Sequence, residues 1–157
     1  MDEESARTVA KTVAALYQQV HDKLREQVRD LDHGTLNWRP LPKANSIAVL
    51  VAHSLGSEIE MIRALRMIPT DRDRDAEFKV EADAGDLLEL LDQADRNLEE
   101  HLGALTPDAL TEMRPRGDRP PRPGIDWLIS NYGHAREHLA QIELTRQLYS
   151  DRSRPKP

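Results

Sequence analysis

Four long stretches of this chain place apolar residues three and four positions apart, and that period belongs to the α-helix. In the first, from about Ser5 to Leu31, the residues Val9, Val13, Leu16, Val20, Leu24, Val28 and Leu31 share one face. Gly34 follows as a stop signal. Pro40 and Pro42 forbid a regular helix through the connector at 34–45. Asn45 or Ser46 then caps a second helix, which runs to about Met67 ahead of Pro69. Its segment from Ala48 to Ala52 is apolar nearly all round and must be covered on several sides. The third, from about Ala84 to Leu105 behind an Asp83 N-cap, buries Leu87, Leu91, Ala94, Leu98, Leu102 and Leu105. The fourth, from about Ile125 to Tyr149, carries Leu128, Tyr132, Ala135, Leu139 and Ile142.

Four amphipathic helices of similar length predict an all-α protein, a four-helix bundle. We expect one domain over residues 1–150 and a short flexible tail over 151–157, with disorder starting near Ser150. The link at 69–83, with its alternating Asp71-Arg72-Asp73-Arg74-Asp75, reads as exposed and mobile. The basic, proline-rich run from Arg114 to Gly124 reads as a rigid connector too polar to pack as core. No sheet is expected. Val9, Val13, Leu16, Val20, Val51, Leu55, Ile62, Leu91, Leu98, Leu128, Leu139 and Ile142 should be mostly buried.

Charge and composition narrow the function. Among 157 residues, 28 are acidic and 22 basic, a formal charge of −6, which disfavours a nucleic-acid partner. No apolar run approaches the ~20 residues of a membrane span, and no signal sequence is evident. Cysteine is absent, which removes disulfides, thiolate zinc sites and thiol nucleophiles, and suits a reducing cytoplasm.

Polar chemistry therefore falls on the histidines. His21, His33 and His101 read as surface or structural residues. His134 and His138, four apart, stack on one helical face and can reach one metal ion at ~2.1 Å each. Their seam of Trp127, Asn131, His134, His138, Gln141 and Thr145 either lines a cleft or forms a half-exposed flank. Asn131 and Gln141 are the nearest candidates to line a pocket around the pair. His53 follows the all-apolar segment of the second helix. It is either a core histidine bonded to backbone or water, or a third ligand facing the other two. Three imidazoles leave a coordination position open, as catalytic sites do. His134-Ala-Arg-Glu137-His138 also spells an inverted zinc-protease motif, but only 19 residues follow it, and Glu137 points off the His134–His138 face.

Two blocks now resemble a known family. Leu36-Asn37-Trp38-Arg39-Pro40, Asn45-Ser46-Ile47 and Leu50-Val51-Ala52-His53 are similar to the first half of DinB/YfiT-like proteins. Gly133-His134-Ala135-Arg136-Glu137-His138-Leu139-Ala140-Gln141-Ile142 is similar to their last helix. The resemblance implies a four-helix bundle, frequently a homodimer, with a divalent metal, nickel or zinc, on His53, His134 and His138. It also implies an acid shortly after the first histidine, and Glu58 is the candidate. Five residues along a helix place Glu58 ~140° around from His53, which suits a buried supporting role rather than ligation.

Family members of this kind include enzymes that use a low-molecular-weight thiol, such as bacillithiol or mycothiol. The resemblance thus implies a metal-dependent thiol transferase acting on a small electrophilic substrate. The alternatives are a non-catalytic stress-response protein binding metal or a small ligand, and a dimerisation module with an empty site. The arginines at 114, 116, 119 and 122 either hold an anionic cofactor or substrate or form a solvated basic loop.

Overall fold

A computed structural model describes residues 1–152. In chain order the elements are α1 (Glu3–Val28), α2 (His33–Asn37), α3 (Ile47–Leu65), α4 (Arg74–Glu77), α5 (Ala84–His101), α6 (Pro107–Thr111), β1 (Met113–Arg116), β2 (Arg119–Pro123) and α7 (Gly124–Asp151). The four expected long helices are α1, α3, α5 and α7. Their starts follow local chemistry. Asp2 accepts from the Ser5 N–H, Ser46 accepts from the Val49 N–H, and Asp83 with Asp86 closes a capping box.

Each long helix packs chiefly on two others, so α1, α5, α3 and α7 form a square around one apolar core. Helix α3 touches both α5 and α7 and is covered further by α2, α4 and β1, which explains its near-continuous apolar surface. Nine of the twelve residues expected in the core are buried, each contributing ~1.5–3 kcal/mol for an aliphatic side chain. Val9, Val13 and Leu16 are only half-buried. Helix α1 is turned so that Ala6, Ala10, Tyr17, Val20, His21, Leu24 and Val28 face inward. Small alanines let the helices approach, and the Tyr17 and His21 polar groups find partners inside.

Two connectors differ from their sequence reading. The proline-rich run is a two-stranded antiparallel ribbon, β1 pairing with β2, so the expectation of no sheet is corrected. Both strands of such a ribbon are edges, where proline costs no shared ladder bond, and Gly117 turns between them at φ +54°. The ribbon lies outside the core, but its Arg116 is buried, so that run is not wholly excluded from packing. The 69–83 link is exposed over most of its length, as expected, but it is not a featureless connector. It forms the short α4 and folds Arg72 and Glu77 against α3, leaving their side chains only 6% and 12% exposed. Helix α7 continues through Ser150 and Asp151, which the tail was expected to include, and residues 153–157 lie outside the described region.

Candidate metal centre

Helix α3 presents His53, and one adjacent turn of α7 presents His134 and His138. These two helices are direct neighbours. One nitrogen from each ring lies within 4.8 Å of the others, a grouping that can hold a metal ion. The rings stand nearly perpendicular in pairs, at 83°, 77° and 71°, with centroids 5.2, 5.3 and 4.2 Å apart. His134 Nε2 and His138 Nε2 are 3.2 Å apart. Two ligands each ~2.1 Å from one tetrahedral ion stand ~3.4 Å apart, so this pair needs little adjustment.

Two of the three remaining nitrogens, those of His53 and His138, are aimed from behind. His53 Nδ1–H donates to Glu77 Oε2 at 2.9 Å, and His138 Nδ1–H donates to Gln141 Oε1 at 3.0 Å. Each bond fixes the tautomer that leaves Nε2 free as a ligand. Glu77 is itself gripped by Arg72, which donates from Nε to Oε1 at 2.6 Å and from Nη2 to Oε2 at 2.7 Å. Burial works against a charged Glu77, but the bonds from Arg72 and His53 outweigh it and hold the carboxyl below its usual range. Space for that carboxylate comes from Gly56, where a Cβ would stand 2.1 Å from Glu77 Oε1. Phe78 lies against His53, ring centroids 4.8 Å apart.

The Leu36–Pro40 motif keeps this strap in place. Asn37 exchanges two hydrogen bonds with the backbone of Ala82, and Arg39 donates to the Phe78 carbonyl. A motif on α2 thus fastens the link that carries Glu77 and Phe78 onto His53. Sequence reading missed Arg72, Glu77 and Phe78. Their one local signal is the glycine at 56, inside an otherwise well-filled helix.

Burial first, then the neighbouring positive groups, depresses the pKa of His134 to about 4. His138 is lowered as well, again chiefly by burial, although its bond to Gln141 opposes this. Neutral imidazoles are the form that binds metal.

Asn131 and Gln141 do flank the pair, in different ways. Gln141 orients His138, whereas Asn131 is buried and bonds Tyr17 and Ser57. Glu58 is fully buried on the far side of α3 and pairs with His21 at 2.9 Å, so it supports the core and stands outside the histidine cluster. His101 is buried against Arg66, and His33 is exposed beside Asp83. Glu137 of the protease-like spelling is exposed and belongs to no ligand group.

Next to His134, a cavity of about 240 Å³ is lined by Arg116, Arg119, Arg122 and Trp127. A wider groove of about 530 Å³ between α1 and the end of α7 contains none of the three histidines. No helix among the described residues is long and apolar enough to cross a membrane.

Comparison with known proteins agrees with the architecture. No curated protein matches the chain. A conserved protein from Enterococcus faecalis superposes with a TM-score of 0.73 at 18% identity, over 88% of this chain and 95% of its own. A DinB-like protein from Bacillus cereus superposes with a TM-score of 0.73 at 12% identity, over 89% of this chain and 92% of its own. At these identities the likeness is one of fold. The sequence model of the DinB superfamily matches residues 16–142 and takes in all three clustered histidines, and the chain belongs to that superfamily.

Proposed function

We propose that His53, His134 and His138 hold a divalent metal ion, nickel or zinc, and that the protein is a metal-dependent thiol S-transferase. Its substrates would be a low-molecular-weight thiol and a small electrophile. The observation that carries the reading is the set of three convergent imidazoles with no carboxylate among them. Three protein ligands leave positions for exogenous molecules.

A bound divalent cation would supply Lewis acidity, which favours the thiolate over the thiol. The chain's own residues do the rest. Glu77 and Gln141 hold the Nδ1 protons of His53 and His138 and keep both Nε2 lone pairs directed inward. Arg72 locks Glu77, and Phe78 covers one face of His53. The chain has no cysteine, so the attacking sulfur has to come from a small molecule. That dependence suits a reducing cytoplasm, and a homodimer is the assembly we propose.

Metal analysis of the purified, tag-free protein, followed by turnover of a thiol with monochlorobimane, tests the reading. We expect about one nickel or zinc per chain and metal-dependent product formation. Metal without turnover assigns the non-catalytic binding role instead. Absence of metal after loading with either ion overturns the proposal.

A further inference from the structure

The arginines of the β1–β2 ribbon are arranged in a way that folding alone does not account for. The ladder sets Arg114 opposite Arg122 and Arg116 opposite Arg119. Like charges directly opposite one another on a ribbon are destabilising. Arg114 is relieved by Glu112, at 3.0 Å. Arg116 shares Glu60 with Arg72, at 3.0 and 2.9 Å, and donates from Nη2 to the Ser57 carbonyl and hydroxyl. Among the described residues, Arg119 and Arg122 have no ion-pair partner, although the chain carries a net charge of −6. Four arginines are thus gathered on one short ribbon of an acidic protein.

Arg116, Arg119 and Arg122 share the walls of the 240 Å³ cavity with Ser57, Asn131 and His134. The space is equivalent to about eight waters at ~30 Å³ each. Arg116 is 4% exposed and is held rigid by Glu60 and Ser57. Trp127 fixes the faces of two guanidiniums, with Arg116 at 5.5 Å and Arg122 at 5.0 Å from its ring centre. The indole N–H in turn donates to the Arg114 carbonyl at 2.9 Å and ties the ribbon to α7. Arg122, held against the indole and without an ion-pair partner among the described residues, keeps its N–H groups for an acceptor, and with Arg119 on the same cavity wall it offers donors that match an oxyanion.

We infer that this cavity binds a small organic oxyanion, through its carboxylate or phosphate group, and turns the rest of the molecule toward the histidine cluster across His134. The arginines stand as an anion site in their own right. The orientation toward the histidines rests on the proposed metal centre.

The test is titration calorimetry of the full chain, metal-loaded and chelated, with malate and separately with inorganic phosphate. Arg119 and Arg122 are exposed, so Arg119→Gln/Arg122→Gln should fold normally, and an unchanged melting curve checks this. Wild type should bind at least one probe, and the double variant should bind it at least ~10-fold more weakly with metal content unchanged. Tighter malate binding would assign a carboxylate and tighter phosphate binding a phosphate ester, and either result upholds the site. Equal binding by wild type and double variant, or binding of neither probe by wild type, overturns it. If wild type takes up no metal but the arginine variant still loses anion binding, the metal centre fails and the anion site stands.

Discussion

Two histidine-containing clusters sit on opposite sides of α3, and they are built by opposite rules. His21, fully buried, is clamped between Glu58 at 2.9 Å and Asp95 at 2.6 Å, and Arg25 also binds Asp95. Both ring nitrogens face carboxyl groups. Burial opposes its charge, but those bonds prevail and raise its pKa. The Glu58 carboxyl is raised too, mainly by burial, and its second oxygen has no partner. The cluster of His53, His134 and His138 has His53 buried and the other two half-buried, has no acid in its centre, and points free nitrogens at one another. Its α7 members are pushed toward the neutral form. The difference shows what separates a structural histidine from a ligand. A histidine that closes a charge network retains its proton, whereas one offered to a metal must give it up and leave a lone pair free.

The largest expected effect lies in the closed cluster. His21→Ala strips the partner from the fully buried Glu58 and should cost ~3–5 kcal/mol in urea unfolding. A loss below ~1 kcal/mol would mean that the network is not structural. Next comes the open cluster. His138→Ala should lower metal affinity by more than ~100-fold, since even supporting residues cost 10–100-fold. The metal-free variant should melt close to metal-free wild type. Full metal content in this variant would remove the distinction between the clusters.

Glu77→Gln sharpens the comparison further. It keeps an acceptor for His53 and loses the charge that Arg72 grips, so metal affinity should drop by ~10-fold with the fold intact. Unchanged affinity would reduce Glu77 to a strap contact. The smallest effects are pH slopes of stability in chelated protein. His21 has a raised folded pKa, so its contribution is full below ~6.5 and is lost as pH rises through the folded value. His134 is depressed to about 4, so its contribution is lost as pH falls from ~6.5 toward that value. His21→Gln should therefore flatten the alkaline limb, and His134→Gln the acid limb. If each flattened the other's limb, the assignment of protonation states would be reversed.

The apolar period of α1, α3, α5 and α7 was readable along the chain because each helix must bury one stripe whatever its partner. The i, i+4 spacing of His134 and His138 is likewise local geometry. The inward turn of α1 was less legible. A pattern scored on aliphatic residues favours Val9 and Val13, but Tyr17 and His21 enter the core on the strength of Asn131, Glu58 and Asp95, each distant in sequence.

The site divides in the same way. The sequence by itself determined four helices, their order, the caps of α3 and α5, the absence of cysteine, and the histidines that belong together by family resemblance. Only the tertiary structure decided that the charged link after α3 doubles back, that Gly56 leaves room for Glu77 against His53, and that a proline-rich run pairs with itself to set three arginines beside His134. Helical period and capping depend on neighbours within a turn. A hydrogen bond across 24 residues or a cavity between a ribbon and a helix exists only once packing has brought the pieces together.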